Sequence, residues 1–246
     1  DVQPERKAAL FDDFLSSFDD PAALERFLLG VQTLGGDEAH LALTRNADLV
    51  LQHFANLPDA TRAVVRKWVA EMVIGMRKFV LLYPNGIRIQ TVEEYKEYCY
   101  YVAGTVGCML TELWHEHASA VGKREFERLW VKCQAFGEAL QTVNILKDIA
   151  WDAQHENSIY IPEHDLARHG SGHSTLLSPS HLEHNHKAVV HFIEMARRDL
   201  DDALRRANAS PYGLGGSVWT NDLVRGAALA RQLECGTAWL NQHGIL

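Results

Sequence analysis

Apolar side chains recur three and four positions apart through most of the chain, the spacing of helices that each bury one face. Val65, Trp68/Val69, Met72, Met76 and Phe79/Val80 mark such a face and predict a helix following Pro58-Asp59. Asp20-Pro21 reads as an N-cap and a first-turn proline for a helix to about Leu34, because proline lacks the N–H that would go unpaired there. Gly35-Gly36 ends it, and one helix is expected from about Asp37 to Phe54. Pro84-Asn85-Gly86 is a turn. Thr91 and Glu94 have capping-box spacing, which predicts a long helix from about Val92 to Ala118. Another runs from Lys123 to about Gln154, a short one from Glu163 to Arg168, and a last one opens at Ser178-Pro179 with Val189, Phe192/Ile193, Ala196, Leu200 and Leu204 on one stripe. The texture changes near Asn208. Ser210 to Gly216 is turn-rich, Ser217–Trp219 and Thr237–Leu240 read as short strands, and a helix capped at Asn221 or Asp222 runs between them to Leu233, with Gly236 at its C-cap position.

Composition narrows the function classes. The 246 residues carry 24 Lys+Arg against 32 Asp+Glu, a formal charge of -8, which argues against a general nucleic-acid binder. With 47% hydrophobic and 23% charged residues the chain is too apolar to be disordered. Its apolar runs fall short of the roughly 20 residues that cross a membrane, since even Trp68 to Val80 is broken by Glu71, Arg77 and Lys78. Cys99, Cys108, Cys133 and Cys235 have neither CxxC spacing nor the density of a disulfide scaffold, so reduced thiols in a cytoplasmic protein are expected. The chain opens on Asp1 with neither Met nor an apolar signal segment, and the expectation is a trimmed chain or a piece of a longer one.

Two stretches carry candidate chemistry. Asn144, Asp148 and Asp152 fall at i, i+4 and i+8, each step advancing about 40° around a helix, so three oxygen-bearing side chains form one stripe with Gln141 beside it. Carboxylates and a carboxamide are hard ligands suited to Mg²⁺, which commonly bridges protein to substrate phosphates. Lys147 could meet a phosphate oxygen directly. The competing reading is a solvated helix face with one ion pair. In the second stretch, Tyr98 to Gly107, the glycines Gly104 and Gly107 each cost about 1 kcal/mol in a helix interior and imply close packing or a cavity wall. Tyr98, Val102 and Val106 share a line, as an apolar channel wall with a tyrosine at its mouth would; tight packing around a core tyrosine is the alternative.

Together these residues resemble the phytoene/squalene synthase family of head-to-head prenyl transferases. Tyr98 to Gly107 is similar to the family's YC-x-x-VAG-x-VG signature, Gln141 to Asp152 to its second aspartate-rich signature, Q-x-x-N-I-x-R-D-x-x-E-D, and Asn157 to Pro162, NSIYIP, to the segment that follows. The resemblance covers about residues 2–204, including Gly75-Met76. It implies an all-α isoprenoid-synthase-like helical bundle, N-terminally incomplete, and Mg²⁺-dependent condensation of two prenyl diphosphates to squalene or phytoene through a cyclopropyl intermediate. It assigns Asn144, Asp148 and Asp152 to Mg²⁺-diphosphate binding, Gln141 and Lys147 to substrate contacts, Tyr98 to the catalytic tyrosine, and Val102, Val106, Gly107 and Gly137 to the prenyl pocket. NADPH is implied if the product is squalene, and peripheral membrane association would serve product release.

Lys147 stands where the family usually has Arg, and Trp151 where it has Glu. The family's first aspartate-rich motif precedes the segment resembling Val2 to Phe14, and Asp12-Asp13 and Asp19-Asp20 align instead with ordinary helix acids, expected to be solvated. Residues 203–244 resemble a piece of the aldehyde dehydrogenase catalytic domain, without its nucleophile or general-base motifs. Cys235 is expected there as a buried structural thiol. The division expected is therefore residues 1–204, helical, and 205–246, a short β-α-β tail. A metal site among His181, His184 and His191 is the lesser reading of that helix face. Besides the prenyl transferase, two other functions fit less: a catalytically silent helical remnant binding at most a prenyl diphosphate or a protein partner, and an aldehyde dehydrogenase, which lacks its nucleophile.

Overall fold

The computed structural model describes residues 3–36, 38–208, 216–218, 223–235 and 238–240. It falls into two compact units, Asp1–Phe192 and Ile193–Leu246. Among its described residues the regular structure of the first is helical apart from one isolated bridge, and its α-helices are α1 Pro4–Ser16, α2 Pro21–Val31, α3 Glu38–Arg45, α4 Ala47–Ala55, α5 Asp59–Leu82, α6 Val92–Cys99, α7 Thr105–His117, α8 Lys123–His155, α9 Glu163–Arg168 and the start of α10 Leu182–Asn208. In the second unit, β1 Gly216–Val218 and β2 Ala238–Leu240 pair in parallel, Gly216 opposite Ala238, and α11 Leu223–Ala230 lies between them in sequence.

Local chemistry explains most boundaries. Asp20 caps α2 by accepting from the Ala22 N–H at 2.9 Å. The single helix expected over Asp37 to Phe54 is two, broken at Asn46 (φ -105°, ψ 27°). The Asn46 carboxamide donates to the Ala42 carbonyl at 2.7 Å, the local competition by which Asn interrupts helices. At Thr91 half of the expected capping box forms: Thr91 Oγ1 accepts from the Glu94 N–H at 3.1 Å. The Glu94 carboxylate reaches past Thr91 to the Gln90 N–H at 2.6 Å and the Tyr83 hydroxyl at 2.5 Å. The long helix expected over Val92 to Ala118 is interrupted inside the signature by a π-helical turn, Tyr100–Gly104. Such turns insert one residue into the ladder and are frequent at functional sites. Pro179 opens a 3₁₀ turn, Pro179–His181, and α10 follows it.

The core of the first unit includes two clusters, beside fully buried residues such as Phe79, Ile89, Tyr95, Ile161 and Phe192. Phe27, Val31 and Ala47 pack with Leu10, Phe14, Leu28 and Leu34 where α1, α2 and α4 meet. Trp68, Cys108 and Cys133 pack with Val64 and Met109 where α5, α7 and α8 meet. On α5 the buried face is centred on Trp68, Gly75 and Phe79, with Met72 and Met76 at its margin. On α10 the buried residues are Asn185, Ala188 and Phe192, whereas Ile193, expected on the same stripe, is exposed; the side chains of Ala196, Leu200 and Leu204 lie outside the described residues. The tail's Ser210 to Gly215, Trp219, Asn221, Asp222, Gly236 and Thr237 also lie outside them. Cys235 is half-buried rather than buried. No helix of the described residues is long and apolar enough to cross a membrane.

Asp12, Asp19 and Asp20 are solvated, as expected, and Asp13 is half-buried; arginines meet Asp12, Asp13 and Asp19. Asp12 pairs with Arg77 at 2.9 Å, Asp13 with Arg26 at 2.9 Å, and Asp19 takes both terminal nitrogens of Arg66. They tie α1 to α2 and α5, and the Arg66 guanidinium holds the Asp19 carboxyl below its usual range.

Candidate active site

Two signatures distant in sequence are brought together by close packing of helix backbones. A Cβ on Gly107 would overlap the Cys133 carbonyl, and a Cβ on Gly137 would overlap the carbonyl of Ala103 and the amide of Gly104. The space these glycines leave is taken by the neighbouring helix, so they set the spacing of the signature helices on α8. Gly75 does the same for the Tyr101 ring. Beside this crossing, the buried Tyr95 hydroxyl donates to Thr142 Oγ1 at 2.8 Å, joining α6 to α8 one residue from Gln141.

The oxygen stripe emerges at the far end of α8. Asn144 and Lys147 are exposed, and Gln141, Asp148 and Asp152 are half-buried. Lys147 Nζ lies 3.4 Å from Asp148 Oδ2. Asp152 is raised from the ordinary aspartate value to about 6, by burial first, then by the Glu156 and Asp148 carboxylates, with Lys147 opposing. Glu156 thus extends the stripe by one turn; its spacing of four from Asp152 was legible, but it lies past the signature. Trp151, standing where the family has Glu, is 58% exposed and stacks on His155 with ring centroids 3.7 Å apart.

The fit of a divalent cation rests on this donor set. Asp148 and Asp152, one turn apart, with the Glu156 carboxylate close by, carry more negative charge than the single neighbouring Lys147 offsets. Among the described residues no three His, Cys, Asp or Glu side chains converge on a ready cage, so an ion here would take its remaining oxygens from a bound diphosphate and water.

Tyr98 is not at a channel mouth. It is 5% exposed, its ring edge-on to Phe79 at 5.2 Å and tilted against Tyr160 at 4.9 Å. Burial first, then the Tyr160 hydroxyl, pushes its phenol well above the usual range. Tyr160 belongs to a crevice with Asp152, Ile145, Ile149, Ser158, Ile159, Ile161 and Leu176. In the sequence Tyr160 stands between two isoleucines of NSIYIP and carries no spacing signal. Val102 and Val106 are half-buried. A separate cavity of about 680 Å³, bordered by Phe18, Leu51, Phe54 and the Asp19–Arg66 pair, includes no residue of the two signatures. His184 and His191 are exposed, and His181 and His184 sit with ring centroids 6.1 Å apart.

Comparison with known proteins agrees with both parts of the chain. The family model for squalene/phytoene synthase matches residues 1–230. The squalene synthase of Schizosaccharomyces pombe is 28% identical over 151 residues, 61% of this chain and 32% of that protein. The 15-cis-phytoene synthase of Synechocystis sp. is 31% identical over 161 residues, 61% of this chain and 44% of that one. This chain therefore spans between a third and half of those relatives. A ligand complex of TcSQS superimposes with a TM-score of 0.59 at 19% identity, covering 78% of this chain and 58% of that one, which shows the all-α isoprenoid-synthase fold. A short C-terminal part matches aldehyde dehydrogenases, among them the phenylacetaldehyde dehydrogenase of Pseudomonas fluorescens, 44% identical over 48 residues and covering 10% of that enzyme. The family model runs into this tail, and the helical matches make up most of the chain: it belongs to the squalene/phytoene synthase family.

Proposed function

We propose that this chain binds prenyl diphosphates at the acid end of α8 and takes part in their Mg²⁺-dependent head-to-head condensation to squalene or phytoene. The observation that carries the reading is the Asn144/Asp148/Asp152 stripe with Lys147, held across a glycine-packed crossing from Tyr98. Mg²⁺, when bound, neutralises the diphosphate leaving group. Asn144, Asp148 and Asp152 would hold the ion, while Lys147 and Gln141 would contact the diphosphate oxygens. Lys147 supplies a point charge and lacks the forked donors of the Arg usual at this position. Val102 and Val106 are assigned to the prenyl channel, with Gly107 and Gly137 setting its wall through helix spacing. The buried Tyr98 phenol stays protonated at neutral pH and serves as a neutral hydrogen-bond donor near the ionising end of the substrate. A dry apolar channel protects a carbocation from water. NADPH enters only if the cyclopropyl intermediate is reduced to squalene. The C-terminal match spans too little of an aldehyde dehydrogenase to propose that activity.

The test is calorimetric titration with farnesyl thiodiphosphate, with and without Mg²⁺, followed by incubation with farnesyl and geranylgeranyl diphosphate, Mg²⁺ and NADPH and extraction of C30 and C40 hydrocarbons. Metal-dependent binding that Asp148→Asn weakens by about tenfold, equivalent to ~1.4 kcal/mol, supports the reading. Equal affinity with and without the metal overturns it. Binding without any hydrocarbon product would favour the silent, ligand-binding remnant.

A further inference from the structure

We propose that Cys108 and Cys133 are a modification site: a dithiol that a hydroperoxide converts into an internal disulfide joining α7 to α8. Both thiols are free, their sulfurs lie 3.4 Å apart in the core, and the residues are 5% and 8% exposed. They stand 25 positions apart in sequence without any recognisable spacing, so the fold alone makes them neighbours. The two helices touch at this height, because a Cβ on Gly107, the residue before Cys108, would lie 3.6 Å from the Cys133 Cα. Such close backbones suit a disulfide, whose Cα atoms are at most about 7 Å apart, and side-chain rotation has only to bring the sulfurs to about 2.0 Å. Hydrogen bonding orders the pair. The Cys133 thiol donates to the Trp130 carbonyl at 3.2 Å, which leaves the Cys108 S–H to donate to the Cys133 sulfur.

Among the described residues no group of three His, Cys, Asp or Glu side chains could hold a metal, so the chemistry open to this pair is with each other. Cys133, whose sulfur accepts from Cys108, is the better placed to react first, since that bond favours its thiolate. The thiolate attacks the O–O bond of the hydroperoxide, becomes a sulfenic acid and releases water or an alcohol. The Cys108 sulfur then attacks the sulfenic sulfur, the S–S bond forms, and the hydroxyl leaves as water with the Cys108 proton. Two thiols thereby lose two protons and two electrons, and the peroxide takes up both. Burial first, then Cys133, pushes the Cys108 thiol up to about 12, which makes the reaction slow. The same burial, against Trp68, Val64 and Met109, shields the finished bond from reductants. The bond would staple the crossing that Gly107 and Gly137 set by close packing.

The test uses the folded full chain, incubated with hydrogen peroxide, quenched in acid, unfolded with N-ethylmaleimide to block the remaining thiols, and digested with trypsin without reductant. Peptides 97–123 and 133–147 are expected to appear joined, two hydrogens lighter than their sum, with fragment ions placing the bond on Cys108 rather than Cys99. Dithiothreitol should separate them. The oxidised chain is expected to melt about 5 °C above the reduced one, the order of shift that closing a loop of this length gives. Cys108→Ser should lose both the joined peptide and the shift. Should that variant fail to fold, the peptides of the unsubstituted chain decide the matter alone. Two blocked thiols after prolonged oxidation, a bond to Cys99 or Cys235 instead, or a joined peptide that forms only in denaturant would overturn the assignment. None of these readouts needs a hydrocarbon product, so the inference stands or falls apart from the prenyl-transfer reading.

Discussion

The crossing of the signature helices on α8 and the strap of hydrogen bonds between residues 85–90 and 157–164 both position the candidate site, by opposite means. At the crossing, order comes from missing side chains: Gly107 and Gly137 let carbonyl groups of the neighbouring helix into space that any Cβ would fill. In the strap, order comes from added bonds, a parallel bridge at Arg88 and Ile159 reinforced by Arg88 and Asn157. The crossing fixes the distance between two helices and leaves no freedom to adjust. The strap carries Tyr160, whose ring packs on Tyr98, and its bonds can be lost singly. The first should therefore fail all at once and the second by degrees.

Gly137→Leu should have the largest effect. The new side chain meets backbone, which cannot rotate away as a side chain would, and overpacking of this kind costs about 3 kcal/mol or more. Chemical denaturation should show a fall of that size or an insoluble chain; a stable, helical variant would mean that the crossing is looser than described. Gly86→Ala should cost less, about 2 kcal/mol, from a residue forced to keep φ 108° and a Cβ directed at the Asn157 carbonyl. Its sharper signature is local: amide hydrogen exchange should rise at Ile89 and Ile159 and stay unchanged at the crossing.

Asp152→Asn should have the smallest effect, and it is stabilising. The folded-state value of about 6 lies above the ordinary aspartate value of 3.8. The folded chain therefore holds a proton that the unfolded chain has released between those values, and stability falls as pH rises through that window. Above pH 6 the ionised Asp152 remains a penalty, which screening reduces to about 1 kcal/mol at this half-exposed position. The variant should melt a few degrees higher than the parent at pH 7.5 and together with it below pH 4, as read by thermal scans at both values. A variant that melts lower at pH 7.5 would show that Lys147 outweighs the neighbouring acids.

Particular residues show how far the sequence reached. The Asn144/Asp148/Asp152 stripe was legible because a helix turns a spacing of four into one face whatever surrounds it. Asp20 and Thr91 were legible as caps for the same local reason. The break at Asn46 was missed because it turns on a carboxamide choosing a backbone carbonyl four residues earlier. The π-helical turn in the signature was missed because it has no periodicity of its own. The glycines of the signature were recognised as marking either close packing or a cavity wall, and only the position of the Cys133 carbonyl distinguishes the two.

By itself, the sequence determined what depends on neighbours within a few positions: helices, caps, the acid stripe, the family, and the change of texture near Asn208. Tertiary structure decided what depends on residues far apart in the chain. It set Tyr98 in the core rather than at a mouth, turned the α1 acids into partners of Arg26, Arg66 and Arg77, and brought Tyr160 over Tyr98 from some sixty positions away. The physical reason is that burial and charge act through space: a phenol or carboxylate takes its properties from whichever groups the fold places beside it, and spacing along the chain does not record them.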